Sequence, residues 1–175
     1  MYNNSHVILF IQNLCFIFVD QNLTMQEIKI KDYLSENGVR PVNKRVKIMN
    51  YLITKRNHPT AEMIYLELVN EIAGLSKTTV YNTLNLFVQE GITRALNIDS
   101  NELRYDADIS QHGHFKCKEC HEVYDFSMND ELLQDQRLKN FILDDFQFSI
   151  KGICSFCLKR KNVLPEVKLA ACANV

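Results

Sequence analysis

No lysine or arginine precedes Lys29, and no A-x-A-like cleavage site follows the apolar stretch Val7 to Val19, so the parts of a secretory signal are missing. That stretch is interrupted by Gln12 and Asn13 and falls short of the roughly 20 apolar residues a membrane helix needs. Met25 is therefore expected to be the functional start, with residues 1–24 a disordered or spurious extension and no membrane association. Five glycines and three prolines, with no internal repeat or low-complexity stretch, exclude a collagen-like chain. Charge of one sign is lacking too: 20 Lys+Arg against 21 Asp+Glu leave a net charge of −1, so any nucleic-acid surface must be local. What is present is a globular composition, 46% apolar and 23% charged, over 175 residues, which suits one domain or two small ones. The expected compartment is the reducing cytoplasm, where paired cysteines bind metal more often than they form disulfides.

From Met25 the apolar residues recur at helical spacing. Ile28, Ile30, Tyr33 and Leu34 mark a first helix ending at Asn37-Gly38, and Val42, Val46, Met49, Tyr51, Leu52 and Ile53 mark a second, broken at His58-Pro59. Thr60 is placed to cap a third helix striped by Ala61, Ile64, Tyr65 and Leu68. Ser76 is placed to cap a fourth, striped by Val80, Leu84, Phe87 and Val88 and ended by Gly91. Two strand-like runs, Thr93 to Ile98 and Leu103 to Asp106, flank a turn cluster and read as a hairpin. Short helices followed by a hairpin form the pattern of a winged helix. Between Val39 and Ala61 lie Arg40, Lys44, Arg45, Lys47, Lys55 and Arg56 without one acid, which suits DNA as well as it suits a solvated helix face.

The second half, with 12 of the 21 acids after residue 100, reads differently. Strands are expected at 115–118 and 123–126, a helix at 129–143, and a strand within 146–154, making a small α+β module. The expected organisation is an extension at 1–24, a winged-helix domain with a hinge at its end at 25–107, a metal-binding dimerisation domain at 108–162, and a tail at 163–175.

Cys117-x-x-Cys120 and Cys154-x-x-Cys157 are two knuckles, a spacing that lets two thiolates from one turn grip the same tetrahedral ion. The 33 residues between them exceed the roughly 15 to 20 of a zinc ribbon, but one helix and one strand fit in that gap. A structural Zn(II) held by all four is the leading expectation. Two redox dithiols remain open, as does haem attachment at Cys117-x-x-Cys120-His121. Cys15 and Cys172 have no assigned role. His112-Gly113-His114 lies just before the first knuckle, and strand alternation puts both imidazoles on one face. Asp106 and Asp125 bracket it, so the donors are imidazoles and carboxylates, suited to Fe(II), Mn(II) or Zn(II).

In order and spacing the chain resembles the ferric uptake regulator family, through GVRPVNKR (38–45), NHPTAEMIY (57–65), LSKTTVYNTLNLF (75–87), Arg104-Tyr105-Asp106, HGHFKCKEC (112–120), VYDF (123–126) and GICSFC (152–157). Within the family it looks most like the peroxide-sensing repressors. The resemblance implies a regulatory Fe(II) or Mn(II) held by His58, Asp106, His112, His114 and Asp125, where iron-sensing relatives tend to have Glu in place of Asp125. It implies a homodimer on double-stranded operator DNA, with Lys77, Thr78, Thr79, Tyr81 and Asn82 at the leading turns of the recognition helix and Arg40, Lys44 and Arg45 near phosphate. It implies a repressor rather than an enzyme, in which Fe(II)-dependent peroxide chemistry oxidises a histidine ligand and releases DNA. The competing expectations are an iron-level repressor of the same family and a zinc-bound thiol redox protein.

Overall fold

The computed structural model describes residues 23–99, 101–128, 138–142 and 145–162. It divides between Gln111 and His112 into two compact units, a little beyond the boundary expected after residue 107.

The first unit is helical with a terminal hairpin: α1 (Leu23–Glu36), α2 (Asn43–Lys55), α3 (Ala61–Leu68), α4 (Lys77–Gln89), β1 (Arg94–Leu96) and β2 (Arg104–Asp106). The helices form where local chemistry directs them. Thr60 accepts a hydrogen bond from Met63 N, and Ser76 one from Thr79 N, each satisfying an amide that a helix start otherwise strands. Gly91, at φ 69°, takes the left-handed position that ends α4, and Ile92 N then reaches back to Phe87 O at 3.0 Å. One apolar core joins all four helices, with Ile30, Leu34, Ile48, Met49, Ile64, Val80, Leu84 and Phe87 fully buried. β1 and β2 pair antiparallel, Ala95 opposite Tyr105. This is the winged-helix arrangement.

Three expectations need correction. α1 begins at Leu23, so the last two residues of the expected extension are helical. Ile28 is half exposed, because burial in α1 narrows to Ile30, Tyr33 and Leu34. Val42 is also exposed: it is the N-cap of α2 and lies outside the buried stripe.

The second unit is a three-stranded sheet of β3 (Gly113–Cys117), β4 (Val123–Phe126) and β5 (Phe148–Gly152), in the order β4-β3-β5, followed by α5 (Ser155–Arg160). β4 runs antiparallel to β3, with Asp125 opposite His114 and Tyr124 opposite Phe115. β5 runs parallel to β3, with Ile150 opposite Phe115 and Gly152 opposite Cys117. β3 starts at Gly113, two residues before the expected strand. A side chain at Gly113 would collide with the Phe126 ring, so any larger residue between the two histidines requires that ring to move. The short helix α5 was not expected. Most of the helix expected at 129–143, the residues 1–22 with Cys15, and the tail from 163 with Cys172 lie outside the described residues. Among the described residues no helix is long and apolar enough to cross a membrane.

Candidate metal centres and nucleic-acid face

The parallel register of β3 and β5 brings the two knuckles together, because both strands end at the same level and each leads into a turn carrying two cysteines. One sulfur from each of Cys117, Cys120, Cys154 and Cys157 lies within 4.8 Å of the others, and Cys120 Sγ and Cys154 Sγ are 3.7 Å apart. Thiolates about 2.3 Å from one tetrahedral ion sit about 3.8 Å from each other, so the four donors fit zinc. Their protonation is uneven. Burial pushes Cys117 up, but the backbone amides of Cys120, Cys154 and Glu119 donate to its sulfur and bring it down to about 6. Cys157 is pushed up to about 12 by burial and by sharing protons with the other three thiols. Such a cluster releases protons when a cation enters. Glu119, inside the first knuckle, pairs with Lys161 beyond the second at 2.7 Å and fastens the two turns to each other. The Tyr124 hydroxyl bonds the Cys154 sulfur, a contact with no local sequence signal.

The imidazole and carboxylate donors are divided between the units. In the second, the His112 and His114 rings are 4.5 Å apart, and their Nε2 atoms lie 3.6 and 3.8 Å from the same Asp125 oxygen. Donors about 2.1 Å from one ion stand about 3 to 3.4 Å apart. The observed spacing therefore needs a contraction of only a few tenths of an ångström. His112 precedes β3 and His114 lies on it, so the shared side expected from alternation holds. In the first unit, His58 is buried in the turn between α2 and α3, with Nε2 3.5 Å from Asp106 Oδ2 at the end of β2. The other Asp106 oxygen accepts from Asp108 N, which fixes the carboxylate's orientation.

On the nucleic-acid side, α4 buries Val80, Thr83, Leu84 and Phe87 and turns Lys77, Thr78, Tyr81 and Asn82 outward. Tyr81 is 45% exposed, so it is not a core residue. The remaining candidates are partly engaged within the chain. Thr79 Oγ1 lies 2.9 Å from the capping Ser76 hydroxyl, Lys77 Nζ donates to Glu62 at 2.7 Å, Lys44 to Gly74 O at 2.6 Å, and Arg45 to Arg40 O at 3.1 Å. Arg40 is exposed.

A profile of the ferric uptake regulator family matches residues 36–151. The chain is 33% identical over 132 residues to a peroxide-responsive repressor of Staphylococcus epidermidis, covering 74% of this chain and 88% of that one. It is also 33% identical to the peroxide operon regulator of Bacillus subtilis, covering 74% and 91%. The crystal structure of the Vibrio cholerae ferric uptake regulator superposes with a TM-score of 0.59 at 26% identity, over 71% of this chain and 98% of that one. Profile, relatives, fold and donor sets agree, and the chain belongs to the ferric uptake regulator family.

Proposed function

We propose that this protein is a cytoplasmic, homodimeric, metal-dependent repressor that leaves its operator when hydrogen peroxide oxidises one of its histidines. The observation that carries the reading is the donor set: His58 beside Asp106, and His112 and His114 flanking Asp125, offer imidazole and carboxylate with no thiol among them. That chemistry suits a hard to borderline cation such as Fe(II) or Mn(II), while the four cysteines take Zn(II). The named activity of the Staphylococcus and Bacillus relatives supports it. His58, Asp106, His112, His114 and Asp125 would hold the cation; Fe(II) there would catalyse opening of the peroxide O–O bond with no net electrons consumed from it, whereas Mn(II) would occupy the same donors without doing so.

The chain's own part is to hold and then lose the cation. A ring carbon of His58, His112 or His114 exchanges its C–H for C–OH using one peroxide oxygen, and the other oxygen leaves as water. The oxidised ring is a poor donor. A cation that binds the DNA-competent form more tightly than the released form favours the first, and its loss favours the second. Shifting such an equilibrium from 1:99 to 99:1 takes about 5.5 kcal/mol of differential binding, within reach of lost metal bonds. The oxidised histidine belongs to the protein itself and is not turned over, so this is regulation and not catalysis. In the DNA-bound form α4 enters the major groove, with Tyr81 and Asn82 facing base edges and Arg40, Lys44 and Arg45 near phosphate. The exposed row Tyr124 and Ile150 beside Phe115 supports pairing of the second unit with its copy.

Peptide mass mapping after a brief peroxide pulse tests the reading. The Fe(II)-loaded protein gains one oxygen on His58, His112 or His114 and releases DNA, and the Mn(II)-loaded protein does neither. Oxidation confined to Cys117, Cys120, Cys154 or Cys157 would place sensing at the zinc thiolates. Release on iron depletion alone, with all histidines intact, would make the protein an iron-level repressor.

A further inference from the structure

His58 stands in a backbone conformation that its own sequence disfavours. Its φ is 45°, in the left-handed region, and it precedes Pro59, whose ring steers the preceding residue toward extended backbone. Neighbouring Arg56 is left-handed as well, at φ 46°. Such a turn persists only when surrounding structure holds it. The hold comes from β2, 46 residues later in the chain. Arg104 Nη1 donates to the His58 carbonyl at 3.0 Å, Tyr105 N donates to Pro59 O at 3.0 Å, and Thr60 bridges Arg104.

Two of these contacts are backbone, but the one reaching His58 itself is a side chain. Arg104 is a buried arginine, and its Nε is engaged by Asp99 Oδ2 at 2.6 Å, from the turn of the β1–β2 hairpin. A buried guanidinium needs a carboxylate partner, and its planar fork lets one edge take Asp99 while the other donates to a carbonyl. Asp99 thus fixes the orientation in which Arg104 can grip His58. The imidazole so positioned lies 3.5 Å from Asp106, on the strand that Arg104 begins.

We propose that Arg104, oriented by Asp99, is a positioning residue for the regulatory metal: it clamps the His58 carbonyl so that the imidazole is presented beside Asp106 before the cation arrives. The proposal rests on the reading of His58 as a ligand. It assigns work to a buried ion pair that neither donor set nor DNA-facing helix uses, and it attaches the hairpin turn to the metal ligand through two hydrogen bonds.

Mn(II) affinity of the zinc-loaded full chain, measured by competition with a fluorescent chelator, tests it. Asp99→Ala and Arg104→Gln should each weaken Mn(II) about 10- to 100-fold, the usual effect of removing a group that orients a ligand. Asp99→Glu, which keeps a carboxylate, should bring binding back toward the parent value. The absorption of Co(II) in place of Mn(II) should change in intensity in Asp99→Ala, as it does when one donor is displaced, and return in Asp99→Glu. If Arg104→Gln does not fold, Asp99→Ala carries the test, read below the melting temperature of that variant, since taking the carboxylate from a buried guanidinium lowers stability. Unchanged Mn(II) affinity and Co(II) spectrum in Asp99→Ala, with only a lowered melting temperature, would overturn the proposal and leave the pair a structural one. His58→Ala separates the two readings. If it weakens Mn(II) binding while Asp99→Ala does not, positioning alone fails; if it too leaves Mn(II) bound as before, His58 is not a ligand and the donor set proposed above falls with the inference.

Discussion

Replacing Cys117 by serine should unfold the second unit while leaving the first intact. Among the described residues the buried apolar cluster of that unit consists of Cys117, Cys154 and Cys157, with only Phe115 and Cys120 packed against it. Burying three thiols and part of a phenylalanine contributes a few kcal/mol at about 25 cal/mol per Å². A structural zinc contributes about 10–16 kcal/mol of apparent binding free energy at neutral pH, as much as the whole stability of an ordinary domain. Cys117 also accepts from Glu119 N at 3.4 Å and Cys154 N at 3.3 Å, so its sulfur organises the backbone of both knuckles. The first unit is built otherwise, on a core that runs from Ile30 through Phe87 to Tyr105. Amide hydrogen exchange read residue by residue is the assay, with zinc content measured on the same sample. Protection in β3, β4, β5 and α5 should collapse and zinc fall below one per chain, while protection in α2 and α4 persists. A Cys117→Ser protein that keeps a protected β3–β5 sheet without zinc would refute the reasoning, because the described core would then suffice by itself.

Tyr33→Phe should stabilise the first unit by about 1 kcal/mol in thermal or urea unfolding at pH 7, because its buried hydroxyl has no hydrogen-bond partner among the described residues and removing it ends that cost. Burial also pushes the Tyr33 phenol up to about 12, above its ordinary 10, so its ionisation favours the unfolded chain and stability falls as pH rises from 10 toward 12; the alkaline slope should become shallower in Tyr33→Phe, and an unchanged slope would exonerate Tyr33. Gly113→Ala should destabilise the second unit by about 1–3 kcal/mol through overpacking against Phe126, with partial recovery in the Gly113→Ala, Phe126→Leu double variant; no recovery would place the collision elsewhere. On an operator selected from random DNA, Tyr81→Ala should relax base discrimination, whereas Arg40→Ala should weaken all sequences alike and reduce the salt slope by about 1; equal loss of discrimination in both would mean α4 is misassigned.

How much of the protein could be read in advance depended on how local each instruction is. The caps at Thr60 and Ser76, the stop at Gly91 and the buried stripes of α2 and α4 are consequences of residues within four positions of each other, and the sequence alone determined them. The C-x-x-C knuckles are equally local, since two thiolates on one turn already have the geometry of a shared ion. Family membership was legible for the same reason, through short motifs in a set order.

What only the tertiary structure decided is what separate segments do to each other. Parallel pairing of β5 with β3 brings Cys154 to Cys120, 34 positions away, and nothing in either knuckle encodes that register. Alternation within β3 predicted which side His114 takes but not that Phe126 covers Gly113. Arg104 read only as part of a strand motif; that it is buried, paired with Asp99 and bonded to His58 follows from the hairpin folding back on the turn after α2. Periodicity and capping act along the chain, where sequence distance measures spatial distance. Strand register, buried charge pairs and a left-handed histidine are set by contacts between segments far apart in sequence, where it does not.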